Sequence, residues 1–112
     1  MDYRNISKGN EIIILDTYMT SHNLSDFQKI LNNLLLNTLN LIILDFKDVL
    51  MIDSATIGYL FKIYKMSLEK NFKLKLVSLN EKIFETLEIM GLDRLFDFND
   101  NENQAMESLK YD

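Results

Sequence analysis

The chain has 112 residues, 47% hydrophobic and 26% charged, and its 17 acidic against 12 basic side chains leave a net charge of −5. That length holds one domain, residues 1–112, around one core, and the acidic balance, with no Lys/Arg cluster to offset it, argues against a nucleic-acid partner because phosphate contacts need a basic face. Cysteine is absent, which excludes disulfides and thiolate sites; with no signal region in the polar start MDYRNISKGNE and no apolar run near the ~20 residues of a bilayer span, the expectation is a cytoplasmic protein without membrane insertion.

Taken in order, the chain first predicts a hairpin. Tyr3, Asn5 and Ser7 alternate with Arg4 and Ile6 over a strand at 2–8, Lys8-Gly9-Asn10 supplies turn chemistry, and Ile12-Ile13-Ile14-Leu15 favours a strand over 11–16. Residues 16–21 read as a connection in which Thr20 or Ser21 caps the next helix, 21–37, whose inward stripe is Leu24, Phe27, Leu31, Leu34 and Leu35. Leu41-Ile42-Ile43-Leu44 is an unbroken apolar run. A strand covered on both faces can use it and a half-exposed one cannot, so 41–46 is predicted as the central strand.

A short loop, Val49 to Ile52, leads to Asp53-Ser54-Ala55-Thr56, which has the residue types of a helix N-terminus. Beyond it Ile57, Leu60, Phe61, Tyr64 and Leu68 recur at three- and four-residue steps and define the core stripe of a helix over 54–69. Tyr59, Ile63 and Met66 form a second, weaker line. That line is either the shoulder of the core face or, if exposed beside Ser54, a docking surface.

Asn71 stops this helix, and Phe72, Leu74 and Leu76 alternate with Lys73 and Lys75 in a strand over 72–78 with one partly exposed face. Asn80 caps a helix over 80–90 with Ile83, Phe84, Leu87 and Met90 on one side, and Gly91 takes the left-handed position that ends it. Leu92, Leu95 and Phe96 return to the core, 95–98 adds a short edge strand, and 101–110 is a last helix with Ala105, Met106 and Leu109 inward. The alternation predicts an α/β sandwich, a mixed sheet of about four or five strands with about four helices mainly on one face. Its crossovers from 41 to 79 should be parallel and right-handed. Ile43, Leu60, Phe61, Leu76, Leu87 and Leu95 are the expected core.

The hydroxyl of Ser54 falls at the positive end of its helix. A phosphoryl group there would add about −1.5 to −2 charges where N–H groups and the macrodipole favour an anion, next to the opposing carboxylate of Asp53. The plainer reading is that Asp53 and Ser54 cap the helix, worth about 1 kcal/mol. Catalysis finds little support. His22 is the only histidine and lies among Ser and Asn at a helix start, where it is solvated rather than catalytic. Asp16, Asp45, Asp48 and Asp53 stand at strand ends and a cap with no substrate-positioning motif, and Gly9, Gly58 and Gly91 build no phosphate loop. No metal, cofactor or catalytic residue is expected. A receiver domain would use Asp45 at the end of its strand, but the acidic pair and the late Lys that such a domain needs are not evident.

Residues 41–96 resemble the STAS domain, best known in bacterial anti-sigma factor antagonists. Members carry a hydrophobic strand ending in Asp, a segment Asp-Ser-Ser-Gly-Leu-Gly opening a helix, and later Gly-Leu-x-x-Leu-Phe. Here these are Asp45, Asp53-Ser54-Ala55-Thr56-Ile57-Gly58 and Gly91-Leu92-Asp93-Arg94-Leu95-Phe96, in the same order and spacing. The resemblance implies a phosphorylation-switched protein-interaction module and no enzyme. Ser54 is then the phosphorylation site, and Asp53, Ala55, Thr56, Ile57, Gly58, Tyr59 and Thr20 form the partner surface. Unmodified, the module binds an anti-sigma factor that is also a serine kinase and frees the sigma factor; phosphorylation breaks the contact and a phosphatase resets it. Ala55 and Thr56 replace the family's second Ser and first Gly, giving the segment a second hydroxyl, and Thr20 stands where the family has an acidic residue. The resemblance leaves a second reading open, a constitutive scaffold of a transporter or signalling assembly in which Ser54 is only a cap.

Overall fold

The computed structural model describes residues 1–112. β1 (Asp2–Ser7) and β2 (Asn10–Ile14) pair antiparallel, joined by a turn in which Gly9 takes φ 78°, a left-handed value that a side chain would strain. The chain continues through β3 (Tyr18–Met19), α1 (Leu24–Leu34), β4 (Leu41–Asp45), β5 (Met51–Ile52), α2 (Ser54–Lys70), β6 (Lys73–Val77), α3 (Glu81–Ile89), β7 (Asp97–Asn99), α4 (Glu102–Ser108) and a 3-10 turn at Leu109–Tyr111.

The main sheet has the order β1-β2-β4-β6-β7, with every pair after the hairpin parallel. β4 lies at its centre with all five residues buried, as four successive apolar side chains demand of a strand covered on both faces. Strand alternation then divides the core. Ile42 and Leu44 join Phe27, Leu31, Leu60, Leu76 and Leu87 beneath α1, α2 and α3, whereas Leu41 and Ile43 meet Ile12, Val77 and Ala105 beneath α4. This is the mixed α/β sandwich read from the order of elements, with three helices on one face and one on the other. Asn71 ends α2 at φ 58° and Gly91 follows α3 at φ 72°, both in the left-handed region that stops a helix.

Several sequence expectations are corrected here. α2 buries Thr56, Ile57, Tyr59, Leu60, Ile63 and Ser67, so the line Tyr59–Ile63 belongs to the core, while Phe61 is 41% and Leu68 62% exposed. Apolar residues run nearly around this helix, and periodicity could not choose between two adjacent faces; contact with the sheet does. Phe61 keeps its place outside by stacking on Tyr64 at 6.3 Å, with Lys65 Nζ 5.6 Å from its ring centroid. Leu95 is only partly buried, because Phe96 takes the core position and meets Tyr64 edge-on at 6.0 Å.

Lys75, read as facing solvent, is fully buried beneath α4. Its Nζ donates to Asp97 Oδ2 at 2.9 Å and Ser108 Oγ at 2.8 Å, and pairs with Asp112 Oδ2 at 2.9 Å, so each of the three ammonium N–H groups has an acceptor. Burial pulls its pKa down, but the hydrogen bonds and charges of Asp112 and Asp97 outweigh that and hold it above the usual value.

Neither Thr20 nor Ser21 caps α1. Asn23 precedes the helix without capping it; its side chain turns back, accepting Thr20 N–H at 3.0 Å and donating to Asp16 Oδ2 at 3.0 Å and Tyr18 O at 2.9 Å.

Candidate functional site

β3 and β5, read from sequence as connection and loop, pair in parallel as a two-stranded ribbon, Tyr18 opposite Met51 and Met19 opposite Ile52. Strands of two residues carry no detectable periodicity, so the sequence offers no signal for them. The ribbon is extended by Leu50 N–H donating to Thr17 O at 2.8 Å and Asp53 N–H donating to Met19 O at 3.1 Å. It thereby delivers Asp53 to the start of α2.

Asp53 is extended, φ −98° and ψ 173°, and caps α2 by accepting Thr56 N–H on Oδ1 at 2.9 Å. Its other oxygen, Oδ2, accepts Ser21 N–H at 2.8 Å from the segment before α1. The Thr56 N–H and then the Ser21 N–H hold the Asp53 carboxyl below its ordinary value. The Thr56 hydroxyl oxygen is buried without a hydrogen-bond partner.

Ser54 is the first residue of α2 and is exposed. Asp53 alone caps the helix, which corrects the reading of Ser54 as a cap. Ala55 and Gly58 are exposed on the same end of the helix, and nothing lies within 4 Å of where a Gly58 Cβ would stand, so the helix backbone is open to an approaching chain.

Thr56, Ile57 and Tyr59, named above as partner residues, are buried. They pack behind the exposed start of α2 and were expected on its surface. The Tyr59 ring meets Phe27 edge-on at 5.1 Å, and burial pushes its hydroxyl up to about 12. Thr20 is half-buried, its Oγ1 accepting His22 N–H at 3.2 Å, and its neighbour Ser21 brings it alongside Asp53. Ser21 itself was missed, since it contributes a backbone N–H that any residue but proline would supply. Exposed Tyr18, Leu50 and Met51 on the ribbon were missed with the ribbon.

The carboxylates do not gather. No group of three or more His, Cys, Asp or Glu could hold a metal ion. Nor is any helix long and apolar enough to cross a membrane.

Comparison with known proteins gives this geometry a family. The STAS domain family model matches residues 5–105. A candidate anti-sigma factor antagonist from Thermotoga maritima shares 28% identity and superposes with a TM-score of 0.86, over 97% of this chain and 93% of its own. The anti-sigma factor antagonist SpoIIAA in its unphosphorylated form, at 12% identity, shares the fold with a TM-score of 0.84 over 99% of this chain and 96% of its own. A sulfate transporter family protein from Wolinella succinogenes shares it too, at 17% identity and a TM-score of 0.82, over 96% and 90% of the two chains. No curated protein matches.

Proposed function

The chain belongs to the STAS domain family, and from that membership we propose that it is a phosphorylation-switched protein-interaction module acting as an anti-sigma factor antagonist. Unmodified, it binds an anti-sigma factor that is also a serine kinase, and so frees the sigma factor. In the kinase's site Ser54 Oγ bonds to the γ-phosphorus of ATP, the bond from that phosphorus to the β-phosphate oxygen breaks, ADP leaves, and the hydroxyl proton passes to a base of the kinase. The added charge breaks the contact, and a phosphatase restores the hydroxyl by hydrolysis. The module itself catalyses nothing, takes no cofactor and works in the cytoplasm.

One observation carries this reading. Ser54 stands exposed at the N-terminus of a 17-residue helix while the preceding Asp53 does the capping, so the hydroxyl is not engaged as the helix cap. The kinase-facing surface comprises Ser54, Ala55 and Gly58 with Asp53 and the Thr20 segment beside them. A constitutive scaffold, the role suggested by the transporter relative, remains the competing reading, now without a capping role for Ser54. Incubation with serine kinases encoded in the same genome, ATP and magnesium, followed by peptide mass spectrometry, separates the two: phosphate on Ser54, absent from Ser54→Ala, supports the switch, and a partner bound without any phosphorylation supports the scaffold.

A further inference from the structure

Asp53 joins two segments that lie 32 positions apart in the chain. Its Oδ1 accepts Thr56 N–H at 2.9 Å in the first turn of α2, and its Oδ2 accepts Ser21 N–H at 2.8 Å. The other hydrogen bonds around residues 20–22 are local: Thr20 N–H to Asn23 Oδ1, His22 N–H to Thr20 Oγ1 and Asn23 N–H to Thr20 O. The Asp53–Ser21 bond is therefore the only hydrogen bond tying residues 20–22 to α2. Ser54 is the adjacent residue, in the turn where intrahelical pairing has not begun, since Ile57 N–H is the first to reach back, to Asp53 O at 3.0 Å.

We propose that Asp53 is the positioning residue through which a phosphoryl group on Ser54 acts on residues 20–22. The phosphate oxygens compete with the Asp53 carboxylate for the first-turn N–H groups, and their charge of about −1.5 to −2 repels it. Asp53 then releases Ser21 N–H, and the two halves of the partner surface, the start of α2 and residues 20–22, lose their register. The switch thus changes the shape of the surface as well as its charge. This rests on Ser54 being the modified residue, and it deepens that reading by naming what the modification moves.

The test installs phosphoserine at position 54 during synthesis by an expanded genetic code, with no kinase involved. Amide exchange and amide proton shifts are followed at Ser21, Thr56 and, as a control in the central strand, Ile43, in the wild type and in Asp53→Asn, each with and without the phosphate. Asparagine keeps an oxygen to cap Thr56 N–H, but its second terminal atom is an NH2 donor that cannot accept from Ser21. In the wild type the phosphate should speed Ser21 exchange by about tenfold and remove its low-field shift, leaving Ile43 untouched. Asp53→Asn should show the same free Ser21 without phosphate, and adding phosphate should change it no further. Asp53→Ser, too short to reach Ser21, replaces it should Asp53→Asn fail to fold. A Ser21 amide indifferent to the phosphate, or one equally affected in the Asp53 variants, overturns the coupling. Either result leaves the kinase reading of Ser54 intact, because that reading is decided by phosphate mapping.

Discussion

Two charged side chains each tie together distant parts of this fold, and they do so in opposite surroundings. Lys75 lies fully buried beneath α4 and spends its three N–H groups on Asp97, Ser108 and Asp112. Asp53 lies near the surface and spends its two oxygens on backbone N–H groups of Thr56 and Ser21. A buried ammonium has no solvent to fall back on, so letting go of its acceptors is costly and the clasp is built to stay closed. A carboxylate at the edge of water can exchange partners at small cost, which is the property a switch requires. The fold thus places its buried tie on the face under α4 and its tie at the edge of water beside Ser54.

The largest expected effect lies in the core against which both ties are set. Leu60→Ala, in the core beneath α2, should cost about 2–5 kcal/mol in denaturant unfolding, and an unchanged midpoint would contradict the packing described. Lys75→Met should come next, at about 1–2 kcal/mol, because it removes three charge-assisted hydrogen bonds while the partly exposed Asp97 and Asp112 regain water; a loss confined to a few tenths would mean that the clasp is ornamental. Phe61→Ala, on the exposed line of α2, should cost under about 1 kcal/mol. Leu60 and Phe61 are adjacent in sequence, so comparing them in one series sharpens the assignment of the buried face.

The two ties should also fail at opposite ends of the pH scale. The Asp53 pKa is lowered in the folded protein, so its contribution is present above the unfolded value of 3.8 and is lost as pH falls through the lower folded one. The Lys75 pKa is raised, so its contribution is complete below the unfolded value of 10.5 and is lost as pH rises through the folded one. Urea titrations of wild type against Asp53→Asn in acid and against Lys75→Met in alkali should converge at those respective ends. Smallest of all, Ser54→Ala should leave stability within about 0.5 kcal/mol, since its hydroxyl caps nothing.

What the sequence made legible follows the same division. The central strand was plain, because Leu41-Ile42-Ile43-Leu44 tolerates burial on both faces and nothing else. The start of α2 and its capping Asp53 were equally plain, because the residue types required by an N-terminus are few. The face of α2 was not, since Tyr59–Ile63 and Phe61–Leu68 are rival apolar lines and only the sheet decides between them. Lys75 was misread because alternation puts a lysine opposite the core face, and nothing local announces that a helix whose Ser108 lies 33 residues later will cover it. The Ser21 contact was invisible because a backbone N–H has no letter in the sequence.

The proposed switch places partner binding under the control of the charge state of Ser54. The direct measurement is calorimetric titration of a kinase found to modify the chain against three proteins: unmodified, Ser54→Ala, and phosphoserine at 54. The unmodified and Ser54→Ala proteins should bind alike, and the phosphorylated one should bind about ten- to a hundredfold more weakly. Equal affinity for all three would contradict the account and leave the chain a constitutive scaffold.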